Sequence, residues 1–269
     1  MNTIKEILIP FNFMPSSKKA LVYALNYINR DEDVNIRALM VLDRKINETL
    51  MNDYQEDFQK FLEPHLNPLK KKPSLHFDYG DLTERVLDNQ KKWNSNLVIM
   101  GTRGDMDYGA VLATRTSHLV LEADCPVLSI PLICHREDQE PKKIALVLGH
   151  EEIEDKNLLL TLLEVVRHFN AKLYVLTVYP DQIFHDAEER QIDAKNESTL
   201  EYYLEHFYEA HTYKKSTDLE EEIQRYIKEH DIDILSILPR NHLHRGKASK
   251  GKLTALLTIH SRIPVLALD

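Results

Sequence analysis

The chain has 269 residues, of which 43% are hydrophobic and 29% charged, a composition typical of a globular protein large enough for two domains. Its 34 basic and 43 acidic residues give a formal charge of −9, which excludes a broad basic face for nucleic acid. The two cysteines, Cys125 and Cys134, exclude a disulfide framework and a zinc site built from three or four thiolates. Neither a leader peptide nor an apolar run of about 20 residues is evident. We therefore expect a cytoplasmic protein with reduced thiols and without a membrane or nucleic-acid partner.

The sequence repeats itself. Pro126-Val127-Leu128 recurs 138 residues later as Pro264-Val265-Leu266, and Asp81-Leu82 recurs 137 residues later as Asp218-Leu219. Several such segments, in the same order and at nearly constant spacing, indicate two tandem domains with one topology. The polar, proline-flanked stretch between them predicts a first domain over residues 1–134, a linker over 135–141 and a second, more diverged domain over 142–269.

Short apolar runs alternate with segments of helical periodicity along the whole chain. In the first half, the apolar runs predict strands over residues 7–11, 34–42, 75–79, 96–100 and 126–131. The segments between them predict helices over 18–28, 54–69, 82–93 and 115–122, the first of them capped by Ser16 or Ser17. In the second half, strands are predicted over 143–148, 172–178, 211–214, 234–238 and 265–268. This order predicts an α/β fold of two tandem doubly wound parallel-sheet domains, each with about five strands.

The loop after the fourth strand carries two glycines, in Val98-Ile99-Met100-Gly101-Thr102-Arg103-Gly104. This segment resembles the universal stress protein family, in which a strand is followed by Gly-x-x-Gly, about nine residues, and Gly-Ser or Gly-Thr at the start of a helix. The resemblance extends to residues 5–13, to Gly80-Asp81 and to Cys125-Pro126-Val127-Leu128, and it covers the second half more weakly. It implies an adenine nucleotide alpha-hydrolase-like, Rossmann-like fold in a tandem, two-repeat member with a degenerate nucleotide loop.

The resemblance also implies that ATP or AMP binds in the first half. In the family's ATP binders, an aspartate after the first strand and backbone groups after the second hold adenine and ribose. The Gly-x-x-Gly turn and the Gly-Ser amides hold the phosphates, because glycine admits close backbone approach and a helix N-terminus offers free N–H groups. The corresponding residues of this chain are Asn12, Val41, Gly101, Gly104, Ala113, Thr114, Arg115 and Thr116.

The match to the ATP binders is partial. Asn12 replaces the aspartate, so a hydrogen bond to a ribose hydroxyl loses its charge assistance. Ala113 adds a Cβ where a phosphate should approach, whereas Arg115 adds a positive charge nearby. In the second half, Leu238-Pro239-Arg240-Asn241 replaces the glycine turn, and Gly149 stands at the aspartate position. We therefore expect no ATP site of the family kind in the second half.

Three functions remain open at this point. The first is a stress-response switch driven by nucleotide binding in the first half, and the second is an interaction module that keeps the fold without the nucleotide. The third is a slow ATP hydrolase, for which Asp43 and Asp105 are the candidate magnesium carboxylates. No catalytic or metal-binding arrangement is evident, so we do not expect an enzyme. The last strands of the two halves are apolar and lie near the sheet edges, which invites pairing. The resemblance implies that such strands pair across a pseudo-twofold axis, so we expect an intramolecular pseudo-dimer, with a homodimer also possible.

Overall fold

The computed structural model describes residues 4–28, 34–66, 71–103, 115–134, 140–149, 152–153, 156–181, 187–238, 257–258 and 260–268, without the side chains of residues 115–117, 188 and 189. Its strands are β1 (Glu6–Pro10), β2 (Asn35–Leu42), β3 (Ser74–Tyr79), β4 (Leu97–Thr102), β5 (Val127–Pro131), β6 (Lys143–Leu148), β7 (Lys172–Pro180), β8 (Tyr208–Ser216), β9 (Ile234–Ile237) and β10 (Val265–Ala267). Its helices are α1 (Pro15–Tyr23), α2 (Glu48–Leu62), α3 (Leu82–Lys92), α4 (Arg115–Glu122), α5 (Asn157–Phe169), α6 (Ala187–Leu204) and α7 (Leu219–His230).

The ten strands form one sheet in the order β3-β2-β1-β4-β5-β10-β9-β6-β7-β8. Neighbouring strands run parallel except at the centre, where β5 and β10 are antiparallel and Val265 lies opposite Ser129. Each half of the sheet holds five strands, and the order in the second half mirrors the order in the first. The predicted fold class is therefore confirmed, and the last strands of the two halves pair with each other.

Helices cover both faces of this sheet. On one face, Leu21 of α1 and Phe58 of α2 pack in the same apolar cluster as residues of α5 and α6. On the other face, Val86 of α3 and Ile223 of α7 pack with residues of α4. The strands are consequently buried on both sides, as their continuous apolar runs predicted.

The start of α1 differs from the prediction. Its N-cap is Met14, which makes no side-chain cap bond, whereas a capping serine was expected. Ser17 lies inside the first turn of the helix, and its Oγ is 2.9 Å from Asn12 Oδ1. The predicted serine cap is wrong because this hydroxyl bonds the residues that precede the helix rather than its free N–H groups. Beyond Tyr23 the helix widens into a π-helical turn over Ala24–Ile28.

Two elements differ in their bounds from the prediction: α2 is displaced toward the N-terminus and β8 is longer, and the added residues are mostly exposed. Helix α2 begins at Glu48 rather than at residue 54, since Asn47 Oδ1 accepts a hydrogen bond from the Leu50 N–H at 2.9 Å. Strand β8 spans nine residues, whereas a strand over 211–214 was expected. The prediction relied on the hydrophobic pattern. That pattern is missing from the solvent-exposed first turn of α2 and from the ends of the edge strand β8.

Candidate functional site

A cavity of about 390 Å³ lies at the carboxyl ends of the first-half strands. Parallel α/β sheets bind ligands at this edge, where the strand order reverses on either side of the first strand. The cavity is lined from β1 and the start of α1, from the end of β2, from the β3–α3 turn and from β4. The lining residues are Pro10, Phe11, Asn12, Ser16, Ser17, Val41, Asp43, Gly80, Asp81, Leu82, Met100 and Gly101. Three of the residues proposed from the sequence, Asn12, Val41 and Gly101, are thus brought together.

Asn12 is exposed, but its carbonyl oxygen is already engaged. Asn12 Oδ1 accepts the Met14 N–H at 3.2 Å and the Ser17 hydroxyl at 2.9 Å. The backbone N–H fixes the orientation of the amide, because only an oxygen can accept from it. The Met14 N–H uses one lone pair of Oδ1. The single proton of the Ser17 hydroxyl is shared between the other lone pair and Met14 O, which lies 3.0 Å from Ser17 Oγ, so Nδ2 is the group of Asn12 without these competing contacts. The sequence had suggested an acceptor for a ribose hydroxyl.

Gly101 is required for the close packing of α1 against β4. A Cβ built on Gly101 would lie 2.0 Å from the Ser16 backbone oxygen and 2.9 Å from the Ser17 backbone nitrogen. Neither atom belongs to a flexible side chain, so the start of α1 would have to move. The sequence assigned this glycine to close approach of a phosphate, whereas in the structure it admits close approach of α1 to β4.

The phosphate part of the predicted site falls largely beyond what the structure describes. Gly104, Ala113 and Thr114 lie outside the described residues. Arg115 and Thr116 begin α4, and their side chains also lie outside them. Val41 is half-buried on β2 and pairs with Asp78 on β3. The described geometry therefore concerns the end of the cavity formed by β1, β2 and the β3–α3 turn.

The β3–α3 turn contributes a wall that the sequence analysis had used only for the family resemblance. Gly80 adopts a φ of 130°, a conformation that favours glycine, and its N–H donates to Leu42 O at 3.0 Å. Asp81 caps α3 by accepting the N–H groups of Thr83 and Glu84 at 2.9 and 3.2 Å. A glycine followed by an N-cap aspartate at a strand–helix junction is the signal that would have placed this turn at the site.

The charge on the described lining is negative. Asp43 and Asp81 are both exposed carboxylates, and no lysine or arginine occurs among the described lining residues. The Asp81 carboxylate is partly compensated, because it accepts two N–H groups at the positive end of α3. The Arg85 guanidinium borders this wall, with its Nε 3.7 Å from a Cβ built on Gly80, and the sequence supplies Arg103 and Arg115 after β4.

Comparison with known proteins places the first half of the chain in a family. Residues 3–131 match the model of the universal stress protein family. These residues form a universal stress protein domain. No curated protein sequence matches the chain.

Solved structures extend the likeness to the whole fold. A universal stress protein from Archaeoglobus fulgidus DSM 4304 is 16% identical, with 99% of this chain and 97% of that chain covered and a TM-score of 0.69. A protein assigned to the universal stress proteins from Pseudomonas aeruginosa UCBPP-PA14 is also 16% identical, with 98% and 93% covered and a TM-score of 0.63. The cytoplasmic domain of a prokaryotic cation chloride cotransporter is 11% identical, with 98% and 95% covered and a TM-score of 0.53. At these identities the likeness shows the fold alone.

In the half that follows the universal stress protein domain, α6 accepts hydrogen bonds from the end of β7 and from the segment after β6. Tyr179 at the end of β7 is buried and donates its hydroxyl to Asp193 of α6. The Ile153 N–H, in the segment after β6, donates to Asn196 Oδ1 of the same helix at 2.9 Å. In the universal stress protein domain, the corresponding segments after β1 and β2 line the cavity.

A second polar cluster lies between β7 and β8, against α6. His211 Nε2 is 2.8 Å from Thr177 Oγ1, and its Nδ1 is 3.2 Å from the Tyr213 hydroxyl. The His211 and Tyr213 rings stack with centroids 4.1 Å apart. Burial lowers the pKa of His211 to about 4, against the opposing effect of Asp193, so the ring is uncharged near neutral pH. Burial, assisted by Glu197 and Asp193, raises the pKa of Tyr213 to about 12.

Metal-binding and membrane-spanning features were also sought in the part of the chain that the structure describes. No group of three or more His, Cys, Asp or Glu side chains placed to hold a metal ion occurs among those residues. None of the described helices combines the length and the apolar character needed to cross a membrane. Cys125 and Cys134 are both buried, and each is a thiol rather than half of a disulfide.

Proposed function

We propose that the universal stress protein domain binds an adenine nucleotide, ATP or AMP, in its cavity and acts as a stress-response switch in the cytoplasm. The observation that carries the proposal is the convergence of Asn12, Val41 and Gly101 on one cavity at the carboxyl ends of β1, β2 and β4. Its volume of about 390 Å³ lies within the range of small-molecule sites.

In this proposal the described end of the cavity takes the adenine and ribose. Backbone groups near Val41 contact the base, and Asn12 Nδ2 donates to a ribose oxygen, since Asn12 Oδ1 is engaged. The phosphates lie toward the loop after β4, where Gly104 and the start of α4 would receive them. The residues proposed there are Gly104, Ala113, Thr114, Arg115 and Thr116, with Gly101 holding the base of that loop against α1.

The second candidate is an interaction module that keeps the fold and binds no nucleotide. Two observations favour it over the hydrolase. The described lining carries the carboxylates of Asp43 and Asp81 without a cation, and Asn12 offers no charged acceptor. A nucleotide in this cavity would therefore be held by fewer charge-assisted bonds than an aspartate at position 12 would provide.

The test begins with the purified full chain. The protein is denatured, released small molecules are identified by mass spectrometry, and ATP and AMP are titrated into the ligand-free protein by calorimetry. The decisive variant is Asn12→Asp. One carboxylate oxygen keeps the bonds to Met14 and Ser17, and the other replaces the Nδ2 donor with a charged acceptor for a ribose hydroxyl. We expect the affinity for both nucleotides to rise about five- to tenfold, the difference between a neutral and a charge-assisted hydrogen bond.

Asn47→Asp is the matched control. Asn47 also uses its Oδ1 to hold a helix start, is also exposed, and does not line the cavity. The same change of charge there should leave nucleotide affinity within about twofold of the wild type, because exposed charges at a distance are screened. Gly104→Val is expected to abolish binding by blocking the phosphate turn. Absence of released nucleotide, together with no binding heat in either the wild type or Asn12→Asp, would refute the switch and leave the interaction module.

A further inference from the structure

Phe13, in the loop between β1 and α1, holds a backbone conformation that aromatic residues rarely adopt. Its φ is 59°, in the left-handed region, where the Cβ of an L residue crowds the following carbonyl oxygen. Asn12, which lines the candidate nucleotide cavity, directly precedes it, and Met14 is the N-cap of α1. Strained residues of this kind persist only where the surrounding structure fixes them, and they concentrate at ligand sites and switches.

The other left-handed residues are explained by their places in the fold. In the part of the chain that the structure describes, the remaining non-glycine residues with positive φ are Asn94, Asn170, Glu205 and Asp231, and each lies at the C-terminal end of a helix. Left-handed residues are common at such ends, and short polar side chains tolerate the conformation by bonding locally. Phe13 lies before a helix instead, and its ring forms no such hydrogen bond.

Three elements hold the ring of Phe13. The Phe11 ring, just after β1, meets it edge-on with the two centroids 4.8 Å apart. The Tyr54 ring of α2 stacks on it at a centroid distance of 6.0 Å and an interplanar angle of 22°. Lys18 Nζ of α1 lies 5.8 Å from its centroid, within range of a cation–π contact. These contacts on a half-buried side chain oppose any rotation that would relieve the backbone strain.

Asn12 and Phe13 share one turn of the backbone. Asn12 Oδ1 accepts the Met14 N–H at 3.2 Å, which makes Phe13 the central residue of a turn closed by a side chain. The Asn12 N–H donates to Ser17 Oγ at 3.3 Å, so the same turn is tied to the start of α1. A change of φ at Phe13 would carry the Met14 N–H away from Asn12 Oδ1. The direction of the Asn12 amide therefore depends on the conformation of Phe13.

We propose that Phe13 is a positioning residue for the nucleotide: its packed ring keeps the left-handed turn in place, and the turn holds the Asn12 amide at the cavity. This inference deepens the proposed function and rests on it. A loop that is already fixed in its binding conformation does not have to be ordered when the ligand arrives, which raises affinity. Tyr54 does not line the cavity and supports the ligand through the Phe13 ring rather than by contact.

The test uses the gain in affinity expected from Asn12→Asp, measured by calorimetry with AMP and ATP on the full chain. Phe13→Gly permits the same φ without strain but removes the ring, so nothing holds the turn in that one conformation. We expect Phe13→Gly to lower nucleotide affinity about three- to tenfold. It should also reduce the gain from Asn12→Asp, about five- to tenfold in the wild-type background, to about twofold or less. A merely structural role for Phe13 would leave that gain unchanged.

Matched variants separate the ring from the glycine. Asn94→Gly places a glycine at another left-handed residue of the same half, with a φ of 49° and outside the cavity lining, and should leave affinity within about twofold. Phe13→Tyr keeps the stacked ring and should retain at least about half of the wild-type affinity.

Tyr54→Ala removes the support of the ring without altering the loop itself. It should lower the affinity and the Asn12→Asp gain in the same direction as Phe13→Gly. Tyr203→Ala is its control, because Tyr203 is also a half-buried helical tyrosine packed on the same apolar cluster, and it lies in the second half. The melting temperature of each variant is measured first, and affinities are compared at a temperature where all of them are folded. If Phe13→Gly does not fold, Tyr54→Ala decides in the same way.

The outcomes distinguish this inference from the proposed function. Reduced affinity together with a reduced Asn12→Asp gain, in Phe13→Gly and Tyr54→Ala but not in the two controls, supports the positioning role. A full gain in the Phe13→Gly or Tyr54→Ala background overturns that role and leaves the nucleotide site standing. Absence of binding heat in both the wild type and Asn12→Asp overturns the nucleotide site and the positioning role with it.

Discussion

Replacing Gly101 with alanine should destabilise the fold before it affects any ligand. The new Cβ would lie 2.0 Å from Ser16 O and 2.3 Å from Ser16 C, whereas real Cβ contacts essentially never fall below 3.0 Å. The start of α1 must therefore retreat by at least about 1 Å, which disturbs its packing on β4. Inserting atoms into a close-packed site costs about 1–3 kcal/mol when side chains can yield, and here the obstacle is backbone. We expect a loss of about 3 kcal/mol or more.

The expected loss lowers the melting temperature by at least about 6 °C in a chain of this size, which circular dichroism or calorimetry would detect. The double variant Gly101→Ala with Ser16→Ala separates a backbone clash from a side-chain clash. Because the obstructing atoms are the Ser16 backbone oxygen and carbon, truncating the Ser16 side chain should give no relief. A Gly101→Ala protein that melts within 1 °C of the wild type would refute this reasoning. Only if the Gly101 variant is as stable as the wild type would weaker nucleotide binding by that variant report on the phosphate turn.

Two further predictions concern other contacts. Lys19 Nζ donates to Leu132 O at 2.7 Å and to Cys134 O at 2.6 Å, so Lys19→Met should free this turn and speed thiol labelling of Cys134 about tenfold, with Cys125 unchanged as the internal control. Equal labelling rates would contradict that role. Because burial lowers the pKa of His211 to about 4 in the folded state, the unfolded chain binds a proton that the folded chain does not as the pH falls from about 6.5 to 4. The protein should therefore become less stable as the pH is lowered through this window. In His211→Gln the melting temperature should depend less on pH than in the wild type. Equal pH dependence of the two melting temperatures would refute this prediction.

The strands were predictable from the sequence because their residues are buried on both faces. Strand β6 was expected at the residues where it is found, and β4 and β5 begin or end within one or two residues of the prediction. The central pairing of β5 with β10 was expected from the family resemblance and from the apolar last strand of each half. A continuous apolar run is a strong local indication of a buried strand. Because the chain is an internal repeat, equivalent runs occur in both halves.

The start of α2 and most of the site depended on signals that the hydrophobic pattern does not carry. Helix α2 starts at an exposed polar turn, where Asn47 is the indication of the cap. The roles of Asn12 and Gly101 changed because each contacts residues on α1 or at its start, at distances that no periodicity encodes. Sequence located these residues at one sheet edge, and only the packing of α1 decided which of their atoms remain available.

The two halves differ in what the segments at their strand ends contact. Many apolar side chains share the stabilisation of the sheet, so each can change with little effect while the strand order persists in both halves. A ligand site depends on a few strand-end residues, and α6 bonds two such segments through Asp193 and Asn196. In the first half, the segments after β1 and β2 line a cavity. The proposed function therefore predicts that Asn12→Asp, at such a strand end of the first half, changes nucleotide affinity.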